Sequence, residues 1–136
     1  MLWVLPKNPL KGLLMPRSIL DEPRIHPAIR PVVAASQQAI VQQVQQAVTQ
    51  HPVVVIGMAM NPFPKKARKA LDAAGVSHHY LEYGSYFGMW RQRNALKMWT
   101  GWPSFPMVFV RGTLVGGATD LDKLINSGEL KKMLAG

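Results

Sequence analysis

The chain changes rhythm near residue 35. Six of its eleven prolines (Pro6, Pro9, Pro16, Pro23, Pro27 and Pro31) fall in residues 1–35. Proline has no amide hydrogen, so it interrupts both helix interiors and sheet ladders, and no long helix or central strand is predicted there. The same stretch carries Trp3, Leu10, Leu13, Leu14, Ile19, Leu20, Ile25 and Ile29, which is too apolar for a solvated linker. It reads as an extended arm lying on the domain or on a partner subunit. An apolar arm of this kind invites exchange between protomers, so a homodimer through the arm is one expectation.

From Ser36 the pattern becomes regular, and residues 36–136 read as one domain. Residues 36–48 place Ile40, Val44 and Ala47/Val48 on one stripe behind Ser36 as N-cap, which predicts a helix. Residues 53–56 are a β-branched run between Pro52 and Gly57, hence a buried strand. A helix over residues 65–74 follows, with Ala67, Ala70, Leu71 and Ala74 inward and Gly75 as its stop. Residues 78–82 make a second strand. Residues 87–100 read as a helix crossed by Trp90, Asn94/Leu96 and Met98/Trp99, ended by Gly101 and Pro103. Residues 106–110 and 113–115, joined at Arg111-Gly112, make a hairpin. Thr119 and Asp122 have capping-box spacing and open a last helix over 121–125, continued through 129–134.

The order after the arm is thus α-β-α-β-α-β-β-α. The first two strands are joined through a helix, so a right-handed crossover makes them parallel, and the final hairpin is antiparallel. The fold class is α/β: a four-stranded mixed sheet with helices on both faces, the thioredoxin fold, plus the Pro-rich N-terminal arm.

Composition narrows the chemistry. A chain of 136 residues with 48% hydrophobic content has room for one ordinary core. No apolar stretch approaches a membrane span, and Met1-Leu-Trp-Val-Leu5 is too short for a signal-peptide core, so no membrane partner and a cytoplasmic location are expected. Zero cysteine means no disulfide, no thiolate nucleophile and no sulfur ligand for a metal. No carboxylate pair, Ser-His-Asp set or phosphate loop is visible. His78 and His79 are adjacent in a strand, so their rings point to opposite faces and no metal site is expected from them. The formal charge of +9 favours anionic partners. Its one compact group is Lys65, Lys66, Arg68 and Lys69. These read as a solvated face or, with the free amides around Lys65, as an anion site at Lys65 and Lys66. Nucleic-acid binding would want aromatics on the same surface; Phe63 alone is thin support, so nucleic acid is not the expected partner. Aromatic residues concentrate between 80 and 102, most of them assigned to the core and the surplus to an interface.

Four motifs in order then carry a resemblance over residues 53–134: Val53-Val-Val-Ile56 followed by Asn61-Pro-Phe-Pro64 and a basic helix, Trp102-Pro-Ser-Phe-Pro106, Leu114-Val-Gly-Gly117 with Asp120, and Ser127-Gly-Glu-Leu130. The chain resembles the glutaredoxins, most of all their monothiol class, whose reactive slot reads Cys-Gly-Phe-Ser. The resemblance implies that Asn61, Pro62, Phe63 and Pro64 occupy that slot, with Asn61 where the nucleophilic cysteine stands and only Phe63 in agreement. Met58 stands where the family usually has a lysine. An amide cannot attack a disulfide, whereas Asn is among the best N-caps and Pro is favoured in a first helical turn. The slot therefore reads as a degenerate site with a structural cap.

The resemblance further implies glutathione as ligand. Phe105 would take the tripeptide's cysteine moiety through its backbone, beside a cis Pro106. Arg93 would meet the glycine carboxylate, and Gly117, Thr119 and Asp120 the γ-glutamyl end. Simpler structural readings exist for Arg93 as a solvated helix residue, for Thr119 as a cap and for Gly116-Gly117 as a tight turn. Three functions follow: a non-catalytic module binding glutathione, a peptide or a protein partner; a redox or iron–sulfur-handling relative using thiols from glutathione or a partner; and an anion or nucleic-acid binder through the basic helix.

Overall fold

The computed structural model describes residues 17–135, so the part of the predicted arm over residues 1–16 lies outside the described residues. The chain divides into two units, with the boundary between Ala35 and Ser36. In the first, residues 17–35 hold a 3-10 turn, Glu22–Arg24, and a helix, α1 (Arg30–Ala35). None of these residues is buried. The described part is therefore not extended throughout. Pro23 and Pro31 sit in first turns, where a missing amide hydrogen breaks no bond and a fixed φ favours helix entry.

The second unit runs α2 (Gln38–Gln50), β1 (Val53–Gly57), α3 (Pro62–Ala73), β2 (His79–Glu82), α4 (Trp90–Thr100), β3 (Met107–Val110), β4 (Thr113–Gly116), α5 (Ala118–Ser127) and α6 (Glu129–Ala135). The sheet order is β2-β1-β3-β4. β1 pairs parallel to β2 with Val54 opposite His79, and antiparallel to β3 with Val54 opposite Phe109. β3 and β4 form the antiparallel hairpin. This is the expected thioredoxin fold. Among the described residues no helix is long and apolar enough to cross a membrane.

Alternation along the central strands builds two cores. Val54, Ile56, Met107 and Phe109 face α2 and α4, where they meet Ile40, Val44, Ala95 and Leu96. Val53, Val55, Val108 and Val110 face the other helices, meeting Ala67 and Leu71 of α3, Leu121 of α5 and Leu130 of α6. Each such side chain, taken fully out of water, contributes about 1.5 to 3 kcal/mol, and both faces of β1 and β3 are covered.

Three local expectations are corrected. Ser36 does not cap α2: the residue before the helix is Gln37, in the left-handed region at φ 52° with no side-chain cap bond. Ser36 lies one residue too early, in the turn after α1. Helix α4 starts at Trp90 rather than 87, because Ser85 and Gly88 close an antiparallel bridge that holds Phe87 outside it. Its buried residues are Arg93, Ala95 and Leu96, while Trp90 and Met98, placed inward by spacing, are exposed. Finally, Thr119 and Asp122 do not cap α5. The first backbone amide there, that of Gly117, donates to Asp120 Oδ2 at 3.0 Å.

Candidate functional site

A groove of about 470 Å³ opens where β1 hands over to α3 and where β4 hands over to α5, with the segment before β3 as its floor. Its wall on the α3 side is Asn61, Pro62 and Phe63; Tyr86 contributes from the loop before α4; Trp102, Ser104, Phe105 and Pro106 come next; Gly117, Ala118, Thr119 and Asp120 complete it. Of the residues singled out for ligand contact, Phe105, Pro106, Gly117, Thr119 and Asp120 are brought together here, facing Asn61. Tyr86 was not singled out, because nothing in its spacing tells which aromatic of a loop will reach the groove.

Asn61 has extended backbone, and its Oδ1 accepts from Phe63 N–H at 3.0 Å. That bond satisfies one of the donors left over at the start of α3, as a cap does. Its Nδ2 points at the Phe105 carbonyl, at a long 3.5 Å. One neutral side chain thus spans from the helix terminus to the loop before Pro106. Pro62 occupies the first helical position, where no amide hydrogen is needed. Pro64 is buried and sits so close to Gly57 that a Cβ at residue 57 would lie 2.7 Å from Pro64 Cβ and 2.8 Å from the Tyr80 hydroxyl. Met58 is buried in the α2/α4 core, an apolar place.

Opposite, the Phe105–Pro106 bond is cis. Phe105 is buried, with Lys97 Nζ 5.8 Å from its ring centroid. The Trp102 indole N–H is buried without a hydrogen-bond partner among the described residues, beside Gly117. Gly116 is at φ +113°, and a Cβ there would lie 2.5 Å from Asp120 Oδ2. Glycine is required at that point both for the backbone and for the carboxylate to reach back to Gly117.

Arg93 is placed elsewhere. It is 7% exposed, and its Nη1 donates to Tyr83 O at 2.9 Å and Gly88 O at 2.5 Å. It is absent from the groove wall and instead clamps the 84–89 loop that carries Tyr86. Lys97, whose Nζ lies near the Phe105 ring, is likewise absent from the groove wall. Lys65 and Lys66 are exposed on the first turns of α3 and outside the groove wall. Lys66 Nζ lies 5.6 Å from the Phe63 ring centroid, and the Arg68 guanidinium 4.0 Å over Tyr80. The basic group is therefore partly spent on aromatic faces. Burial first, and then the hydrogen bond to Glu82, push the Tyr80 hydroxyl up to about 12; burial likewise raises Tyr83. His78 turns to Val76 O and Asp72, while His79 stacks on His51 with centroids 4.1 Å apart. Among the described residues no group of three or more His, Asp or Glu is arranged to hold a metal.

Comparison with known proteins identifies the family of this fold. The Glutaredoxin family profile matches residues 53–115. A glutaredoxin-like protein of Dictyostelium discoideum is 50% identical over 91 residues, 67% of this chain and 74% of that one. The chain belongs to the glutaredoxin family. A probable monothiol glutaredoxin 2 of Rickettsia felis is 48% identical over 44 residues, which are 32% of this chain and 42% of that relative. Among solved structures, a buckwheat glutaredoxin–glutathione complex superposes with a TM-score of 0.64 at 25% identity, covering 74% of this chain and 91% of that one. Within this glutaredoxin-family chain, then, the junction of β1 and α3 carries Asn61 and no residue of the whole sequence is cysteine.

Proposed function

We propose that this chain is a non-catalytic binding module, a glutaredoxin relative that has exchanged the family's thiol for a helix cap and uses its groove for glutathione or a peptide of similar chemistry. The observation that carries this reading is Asn61. Its amide is already committed on both sides, to the Phe63 amide and toward the Phe105 carbonyl, and it is neither nucleophile nor thiolate donor. The groove around it keeps the polar groups a γ-glutamyl peptide would use. The first turn of α5 offers amides suited to a carboxylate, and Asp120 suits an ammonium group. Arg93 is turned inward, and no Lys or Arg is among the residues lining this groove. The buckwheat relative solved with glutathione supports this choice of ligand.

Calorimetric titration with reduced and oxidised glutathione tests the binding half. Heat that saturates and is lost in Asp120→Ala is expected; no heat at millimolar ligand would sink the glutathione assignment. Turnover in a glutathione-dependent disulfide reductase assay, or a coloured cluster after iron–sulfur reconstitution, would instead favour the enzyme reading with thiols supplied from outside. The Asn61→Cys variant is expected to take up glutathione as a mixed disulfide detectable by mass, because a thiol at this helix N-terminus would have a lowered pKa.

A further inference from the structure

Helix α4 leaves one face without a partner among the described residues. Trp90, Asn94, Lys97 and Met98 follow each other at helical spacing on that face. Trp90 is 58% exposed and Met98 71%. Between them lies a second groove, of about 510 Å³, lined by Trp90, Arg91, Asn94, Lys97 and Met98 together with Gln37 and its neighbour. The helix contains no Asp or Glu, and among the described residues no carboxylate pairs with Arg91 or Lys97. The Arg91 guanidinium stands 5.3 Å from the Trp90 ring centroid, so a cation and an aromatic face are presented side by side.

We infer that this face of α4 docks an acidic, apolar segment of a protein partner. Two exposed apolar anchors need two apolar side chains, and unpaired cations between them need carboxylates. Trp90 and Met98 are eight residues apart, about 12 Å along the helix. An extended chain rises about 3.3 Å per residue, so it covers that span with side chains four residues apart on one face, leaving acidic positions between. A second copy of this chain fits poorly: matching faces would set Arg91 and Lys97 against their own kind, on chains of charge +9. Single-stranded nucleic acid wants a run of rings for successive bases, and this face has one ring and a thioether. The inference does not rest on glutathione occupying the first groove.

The test uses the full chain and a short synthetic peptide with leucines four residues apart and Asp or Glu between them. Fluorescence anisotropy and amide chemical-shift mapping are read together. Saturable binding is expected, with shifts centred on Trp90, Asn94 and Met98 and an affinity that falls as salt is raised. Trp90→Ala is expected to weaken binding roughly tenfold, as loss of an aromatic anchor does. Arg91→Gln is expected to flatten the salt dependence, and Asp120→Ala to change nothing, which separates this site from the glutathione groove. Both altered residues of α4 are exposed, and an unchanged melting curve checks that the variants fold. Failure to bind, shifts centred on α3, or equal binding by the peptide with Gln and Asn in place of its acids would overturn the inference. So would self-association abolished by Met98→Glu, or a single-stranded RNA that shifts the same residues more strongly.

Discussion

Helices α3 and α4 pack on opposite faces of one sheet and are close in length, yet their inward faces are set by different means. α3 starts on a side-chain cap at Asn61 with Pro62 next, and its spacing sends Pro64, Ala67 and Leu71 inward. Everything needed to orient it lies within its own first three turns and the close approach to Gly57. α4 starts from Met89 at φ 58° with no side-chain cap, and it buries an arginine while exposing a tryptophan and a methionine. Its rotation follows the 84–89 loop, which Arg93 holds through two carbonyls. The difference is instructive: a helix with its own cap can be read from spacing, whereas one seated by a buried polar clamp cannot, because a single desolvated guanidinium outweighs two apolar side chains left in water.

The sharpest way to break α3's seat is Gly57→Ala. The new methyl would fall within 3 Å of both Pro64 and Tyr80, and a loss on the order of 3 kcal/mol is expected in denaturant unfolding; a neutral result would show that α3 can slide. For α4, Arg93→Met leaves the Tyr83 and Gly88 carbonyls unpaired. A loss of roughly 2 kcal/mol is expected, with faster amide exchange confined to the 84–89 loop, and unaltered exchange there would remove the clamp from the comparison. Asn61→Ala deletes the α3 cap for about 1 kcal/mol, whereas the same change at Met89, which caps nothing, should be near neutral by the same measurement. The smallest effect is a pH slope. Burial holds the Tyr80 hydroxyl up at about 12 in the folded chain, against an ordinary tyrosine value of about 10. Its contribution is therefore intact below pH 10 and lost as pH rises toward 12. Wild type should lose stability faster than Tyr80→Phe across that window, and parallel curves would refute the burial of the hydroxyl.

Much of the candidate site was legible before any coordinates. The family resemblance implied the cis proline at 106 and put Asn61, Gly117, Thr119 and Asp120 beside it, and these residues do line one groove. Spacing alone, however, read the two helices over 65–74 and 121–125, starting later than they do. Arg93 was not legible, since a basic residue on a helix has the same sequence signature whether it faces a ligand or a loop. The cap of α5 was misassigned by two residues: Asp120 reaches back to Gly117 because Gly116, at positive φ, has no Cβ to occupy the place of the carboxylate. Tyr86 joined the site through loop geometry that has no periodicity to read.

By itself the sequence determined the order of elements, both faces of the two central strands and the absence of a thiol, since period-two and period-3.6 patterns and residue identity are local properties. Only the tertiary structure decided which way α4 turned and what Asn61 bridges, and which aromatics remained outside the core. Those outcomes depend on where separate segments meet and on which buried polar groups find partners there, and hydrophobic spacing along the chain carries no record of either.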